Sequence, residues 1–392
     1  MIPVLFKDWS DCCGCEACRN VCPTGSIRMN ENAAGFIYPS INAETCVGCN
    51  MCVKVCPLKS SNKDISHPEK AYGAVSKSEA LHRSASGGVF YALAKELLLE
   101  YGVIYGAAFD RSFNVEHIRV DRNTDLSLLQ GSKYVQSRLN NTFKDVEEDL
   151  ENGKTVLFSG TPCQVKALDL YLDTKKTSKE HLITIDIVCH GVPRQKMFDD
   201  YLDTLESENN YIKDFTFRDK NIGWGKNGGV TYSNGKKKKL WEGNEPYLYY
   251  FSNCSIFRNS CYECPFASIY NRPGDITICD FWGIEKTDNK FASMHNNGIS
   301  GVILNTQKGE ELFNRCIDCF DITSAAPEKI AEGNSQLKHP SNRPEKSITK
   351  MYANEGWSAV ESEFRKDTTF FSRNKCRLKT LIPYKLKVKL KK

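Results

Sequence analysis

At 392 residues, with 40% hydrophobic and 26% charged side chains, the chain has room for two or three domains and a sizeable core. Its formal net charge of +5 comes from one end: nine Lys/Arg and no Asp/Glu fall between Arg373 and Lys392, leaving 44 basic against 48 acidic residues before them. A slightly acidic body argues against a general nucleic-acid binder. No apolar run reaches the roughly eighteen residues of a bilayer span. The 18 cysteines follow a start, MIPVLFKDWSD, without a basic or apolar leader pattern, which points to a reducing, cytoplasmic setting.

The first 60 residues are an internal repeat. Cys12, Cys15, Cys18 and Cys22, followed by Pro23, read C-x2-C-x2-C-x3-C-P, and Cys46, Cys49, Cys52 and Cys56, followed by Pro57, read the same. In such a pair, three thiolates of one run and the fourth cysteine of the other hold each [4Fe–4S] cluster. Cys12, Cys15, Cys18 and Cys56 therefore form one expected ligand set, and Cys46, Cys49, Cys52 and Cys22 the second. A disulfide framework would need a secreted chain, and paired zinc sites use C-x2-C pairs instead of a triplet plus Cys-Pro. Cys13 falls outside the register and reads as a packed or spare thiol. A module this short needs its metal–thiolate bonds to hold it together, and it is expected to be mobile.

Polar residues 61–70 read as a linker, residues 71–370 as the main domain and 371–392 as a basic tail. Helical spacing follows the loop Ser84-Ala85-Ser86-Gly87-Gly88, through Val89, Phe90, Leu93, Leu97 and Leu98. Val103–Phe109 is an apolar strand, and Thr142–Leu150 an amphipathic helix stopped by Asn152-Gly153. Thr155–Ser159 is a buried strand running into Gly160-Thr161-Pro162-Cys163, with a helix over Gln164–Leu172. Leu182–Val188 is another, ending at Cys189-His190-Gly191. Residues 211–241 read as an antiparallel excursion turning at Ser233–Lys236. A helix is expected over Glu245–Ser252, and residues 299–366 return to strand and helix. The class is a small ferredoxin-like two-cluster domain (α+β) followed by a mixed, largely parallel α/β domain.

Cys163 and Cys189 each follow a strand, at the sheet edge where open α/β folds bind ligands. Cys261-x2-Cys264-Pro265 adds two thiols on a loop. Together they fit a third [4Fe–4S] cluster; buried packing, zinc or a redox dithiol remain open on spacing alone, and Cys254 and Cys279 compete for places. Cys316 and Cys319 fall in an expected helix beside Leu312 and Phe313, where packing is their role. Asp280 and Trp282 end an alternating run and could line a flat aromatic cofactor. Ser86-Gly87-Gly88 could offer a helix N terminus to a phosphate, but matches neither a dinucleotide fingerprint nor a Walker loop. The tail alternates Lys385, Lys387, Lys389 and Lys391 with Leu386, Val388 and Leu390: a solvated tail, or a peripheral anchor to an acidic surface.

Read in order, Ser86–Phe90, Val103–Ala107, Gly131–Ser137, Phe158–Gln164, Asp186–Pro193, Cys261-x2-Cys264 and Gly274–Gly283 resemble the coenzyme F420 hydrogenase/dehydrogenase beta-subunit family, over residues 3–300. The likeness is to bacterial members associated with surface-polysaccharide gene sets. It implies an iron–sulfur flavoprotein that binds FAD. Cys163, Cys189, Cys261 and Cys264 become the implied ligands of a cluster beside the flavin. Ser86, Gly87, Gly88, Lys133 and Thr161 become its implied pocket, with Lys133 stabilising negative charge on the ring and His190 supplying a proton. A flavin fits independently, because clusters exchange one electron at a time and organic substrates two. The expected electron donor is ferredoxin or a reduced deazaflavin. The expected acceptor is a small organic substrate reduced by hydride transfer or, if the chain is an electron-transfer subunit oxidising reduced coenzyme F420, a partner redox enzyme.

Overall fold

The computed structural model describes residues 1–60, 68–286, 288–369 and 373, so most of the linker and tail readings lie outside the described residues. The two cysteine runs take the same path. In each, a non-glycine residue in the left-handed region, Glu16 or Asn50, opens a one-turn helix. The helices are α1 (Ala17–Val21) and α2 (Met51–Lys54), and each carries the third cysteine of its run, Cys18 or Cys52. Between the runs, β1 (Ile27–Glu31) and β2 (Ile37–Ile41) pair antiparallel from Ile27↔Ile41 to Glu31↔Ile37.

The expected mobility of this module is not what the structure has. Ala17, Val21, Ile27 and Val55 are buried in one continuous core with Phe143, Val165, Leu168 and Tyr171 of the body. Burying a valine side chain contributes about 1.5–3 kcal/mol, so the module borrows from the main domain the apolar core that it is too small to build.

The body begins with β3 (Lys70–Ser76) and α3 (Val89–Leu99), then β4 (Val103–Phe109) and β5 (Val115–Val120). Next come α4 (Thr142–Glu151), β6 (Val156–Gly160), α5 (Pro162–Lys175), β7 (Leu182–Ile187) and α6 (Gln195–Asp203). The excursion forms its own three-stranded antiparallel sheet from β8 (Ile212–Thr216), β9 (Gly228–Tyr232) and β10 (Lys237–Leu240), with Gly235 at the expected turn. After α7 (Pro246–Ser252) the chain returns through β11 (Ile276–Asp280), α8 (Asn289–Ser293), β12 (Ser300–Leu304), α9 (Gln307–Arg315) and β13 (Phe320–Ala325). It closes with α10 (Pro327–Glu332), α11 (Ile348–Glu355) and α12 (Trp357–Asp367).

The main sheet has eight strands in the order β13-β3-β12-β11-β7-β6-β4-β5. Its centre, β4-β6-β7-β11, is parallel, and both flanks are antiparallel. Alternation along the strands sends Val103, Tyr105, Val156 and Phe158 to the face covered by α4, α5 and the cysteine module. Ile104 and Leu157 point to the opposite face, under α3 and α9. Both faces are covered, which explains why these strands read as unbroken apolar runs. A separate aromatic core joins α6, the small sheet, α7 and α12 through Phe198, Tyr201, Phe215, Phe217, Tyr247 and Trp357.

One helix starts earlier than its apolar pattern. Thr161 caps α5 in a reciprocal box with Gln164, and Pro162 takes the first helical position. Cys163 therefore sits in the first turn of α5, held beside the sheet edge, and not on the loop before it.

Candidate redox centre

The first ligand set gathers as the motif spacing expects. Burial, and then the neighbouring thiols of Cys12, Cys56 and Cys52, hold the Cys18 thiol well above its ordinary value. At Cys15 a hydrogen bond with Cys13 pulls the other way, but burial and the neighbours Cys56 and Cys18 outweigh it. Cys56, raised by burial first, also feels Cys12. The fourth cysteine of the second run thus lies with three thiols of the first. Cys22, Cys46, Cys49 and Cys52 in turn line one small cavity with Ile27, Ile41 and Val47. Burial would raise Cys22, yet the Thr24 hydroxyl and the N–H groups of Thr24, Ser26 and Gly25 hold it below the usual thiol range. Those donors favour the thiolate, the form that binds iron.

Three separate segments bring Cys163, Cys189, Cys261 and Cys264 together. Burial, then Cys163 and Cys264, pushes Cys189 up to about 12. Burial, then Cys163, pushes Cys264 up to about 12. Cys261 is held high by burial and by Cys189 and Cys264. Four half-buried thiols in mutual reach are costly to ionise unless a cation takes their charge, and iron supplies that cation when it binds. Among the described residues no three His, Cys, Asp or Glu side chains converge closely enough for a single ion; a four-iron cubane is broader and spreads its thiolates wider.

The competing cysteines border this group. Cys254 packs against the same aromatic core as Cys261, and Cys279 shares a cavity wall with Cys163 and Cys189, 3.8 Å from both Gly301 O and the Asn334 amide. Cys316 and Cys319 fall just beyond α9, which ends at Arg315; Cys316 is buried in the core as packing requires, while Cys319 is exposed. Cys13 is not spare. It is hydrogen-bonded to Cys15 on one side and Cys163 on the other, which joins the first thiol group to the third.

Beside the third group, at the carboxyl ends of β6, β7 and β11, lies a cavity of about 310 Å³. Such volumes suit ligand clefts. Its wall contains Ser86, Gly88, Lys133, Thr161, His190, Asp280 and Trp282 together with Cys13, Cys163 and Cys189. Gly87 is not on that wall: a Cβ there would meet Ala74 O at 2.1 Å and Ser300 N at 2.6 Å, so its place is decided by close backbone packing between strands. Ser86 Oγ donates to Ile299 O at 3.0 Å. Thr161 Oγ1 lies 3.2 Å from Cys163 Sγ.

Lys133 Nζ donates to Gln130 O at 2.8 Å and Leu128 O at 3.0 Å, and burial pushes it down to about 7. Burial, followed by Lys226, pushes His190 down to about 4, which favours the neutral ring.

The antiparallel excursion closes the cavity with residues that carried no local signal. Arg218 holds Asp280 with both arms, at 2.6 and 3.2 Å, and Trp224 Nε1 donates to the same carboxylate at 2.9 Å. Trp224 stacks on Trp282 with centroids 4.2 Å apart. Two polar atoms of residues on the cavity wall, Gln130 Oε1 and His117 Nδ1, are buried without partners.

Residues 153–329 match the family model for the C-terminal region of the coenzyme F420 hydrogenase/dehydrogenase beta subunit. Residues 11–60 match that of a 4Fe-4S dicluster domain. No curated protein matches the chain. Among solved structures, the chain is similar to one from the F420-reducing [NiFe] hydrogenase complex of Methanosarcina barkeri, studied as a xenon derivative. The match has 16% identity and a TM-score of 0.47, covering 79% of this chain and 97% of that one. No helix among the described residues is long and apolar enough to cross a membrane. With its N-terminal cysteine runs matched as a 4Fe-4S domain and residues 153–329 matched to the beta-subunit model, the chain joins a 4Fe-4S domain to the C-terminal region of the coenzyme F420 hydrogenase/dehydrogenase beta subunit and is an iron–sulfur electron-transfer oxidoreductase.

Proposed function

We propose that the cavity binds FAD and that the protein passes electrons between its [4Fe–4S] clusters and that flavin to reduce an organic substrate by hydride transfer. One observation carries the reading: a single cavity wall includes two thiols of the third group and Cys13, which contacts the first. The fit is supported by the N-terminal turns of α3 and α5 opening on the cavity, by the indole of Trp282, and by the two orphaned polar atoms. Ser86, Gly88 and Thr161 would hold the phosphates at those helix starts, and Lys133 would face the ring system.

A bound flavin would supply the exchange between one-electron and two-electron chemistry. The chain's own groups do the rest. Lys133, poised at about 7, can hold or release a proton near neutrality. His190, neutral, offers a hydrogen bond without a charge. The Arg218–Asp280 pair fixes the far wall with its charges already balanced.

A second reading draws on the name of the matched family: an electron-transfer subunit that oxidises reduced coenzyme F420, or a similar carrier, and feeds a partner enzyme. Anaerobic turnover separates the two. Product from dithionite-reduced ferredoxin and a substrate panel, with no other enzyme added, supports the first. Rapid bleaching by reduced deazaflavin, with no product from any substrate, supports the second and overturns the first.

A further inference from the structure

Arg258 is fully buried, at 0% exposure, where the cysteine module meets the body. Its Nε donates to Cys12 O at 2.7 Å, and its Nη2 to Ile37 O at 2.7 Å. The same Nη2 points at Cys12 Sγ, 3.7 Å away, and Nη1 donates to Gln136 Oε1 at 3.1 Å. Its guanidinium lies 4.1 Å from the Tyr38 ring centroid. Among the described residues no carboxylate stands among these partners. The contact is tight on the module's side: a Cβ on Gly14 would meet Arg258 Nη1 at 2.8 Å and Gln136 Nε2 at 2.6 Å. Arg258 O also accepts from Cys261 N at 3.0 Å, so one residue touches the first and third thiol groups.

A guanidinium out of water is expensive unless an opposite charge lies close. Among the described residues, the nearest group that becomes anionic is that of Cys12, Cys15, Cys18 and Cys56, whose thiols are thiolates once iron is bound. We propose that Arg258 is the fixed counter-charge of the cluster those thiolates hold: it raises that cluster's reduction potential and clamps the module to the body. The proposal rests on the assignment of that group as a [4Fe–4S] site. The step affected is a one-electron reduction: the cluster gains one electron and one negative charge, and a neighbouring positive charge favours it. Charge and hydrogen bonds to the sulfurs are among the quantities that set such potentials. Arg258 acts through the cluster and is a positioning residue.

The test is a redox titration, followed by electron paramagnetic resonance, of the anaerobically purified full chain. Arg258→Gln should weaken reduction of one N-terminal cluster about tenfold, about 59 mV for a one-electron couple, and leave the other unmoved. Arg258→Lys keeps the charge and should stay within about threefold of wild type. Iron-loaded Arg258→Gln with both midpoints unchanged overturns the proposal. If Arg258→Gln does not hold iron, Arg258→Lys decides: a wild-type midpoint supports the counter-charge, and the same loss of iron or a shifted midpoint overturns it. Wild-type protein without two N-terminal cluster signals overturns the underlying assignment instead, a separate failure seen before any variant is made.

Discussion

Asp186 and Arg272 form a buried ion pair, 0% and 1% exposed at the side chain, directly behind the third thiol group. Arg272 also donates to Ile187 O, which precedes Cys189, and to Phe266 O, just after Cys264. Asp186 accepts from Gly274 N at 2.9 Å. One guanidinium therefore ties the end of β7 to the loop that bears the other two thiols. Arg272→Met should destabilise the protein by about 3–5 kcal/mol in denaturant unfolding, because Asp186 is left buried and unpaired. It should also cost the third group its iron. A loss under about 1 kcal/mol would mean that Asp186 finds water or another donor.

The crossed ligand sets make a sharper demand. Cys56→Ala should abolish the same resonance signal as Cys12→Ala, and Cys22→Ala the same signal as Cys46→Ala. Were Cys56→Ala to remove the Cys46 signal, each run would hold its own cluster and the grouping of Cys56 with Cys12, Cys15 and Cys18 would be misread.

For the third group, Cys261→Ser should lower bound iron by about four atoms, one cluster, with both N-terminal signals intact. Unchanged iron content would remove the third site.

Cys13 offers a contrast, since it touches two thiol groups but completes neither motif. Cys13→Ala should leave the iron content unchanged while slowing internal electron transfer about tenfold, as loss of an outer-shell contact does. Stopped-flow reduction of the proposed flavin would read it. A loss of iron would show Cys13 to be a ligand.

Half-buried Lys133 and Lys220 are both pushed down to about 7, chiefly by loss of water around their ammonium groups. Between about pH 7 and the ordinary lysine value the unfolded chain holds protons that the folded chain has released, so stability rises with pH across that window. Lys133→Met should remove roughly half of that slope in thermal denaturation and Lys220→Met the other half. A slope untouched by either variant would place both ammonium groups in water.

The cysteine spacing made the first two thiol groups legible, because a metal-binding run writes its geometry into a short local pattern. The strand ends that carry Cys163 and Cys189 were legible for a related reason: buried parallel strands announce themselves as apolar runs, and ligands gather at their carboxyl ends. What stayed hidden depends on contacts between distant segments. Nothing near Arg258 in sequence says that Cys12 will lie against it, 246 residues away. Arg218 and Trp224 reach Asp280 only because the small antiparallel sheet folds back over the edge of the large one. The backbone packing around Gly87 and the packing of Cys13 between two thiol groups were hidden for the same reason, since contacts across segments leave no local pattern.

The most direct measurement is the iron, acid-labile sulfide and flavin content of anaerobically purified full-length protein. Three [4Fe–4S] clusters and one flavin predict roughly twelve irons, an equal amount of sulfide and one FAD per chain. Colourless protein, zinc in place of iron, or about eight irons without flavin would contradict the proposal that clusters and flavin share one electron path.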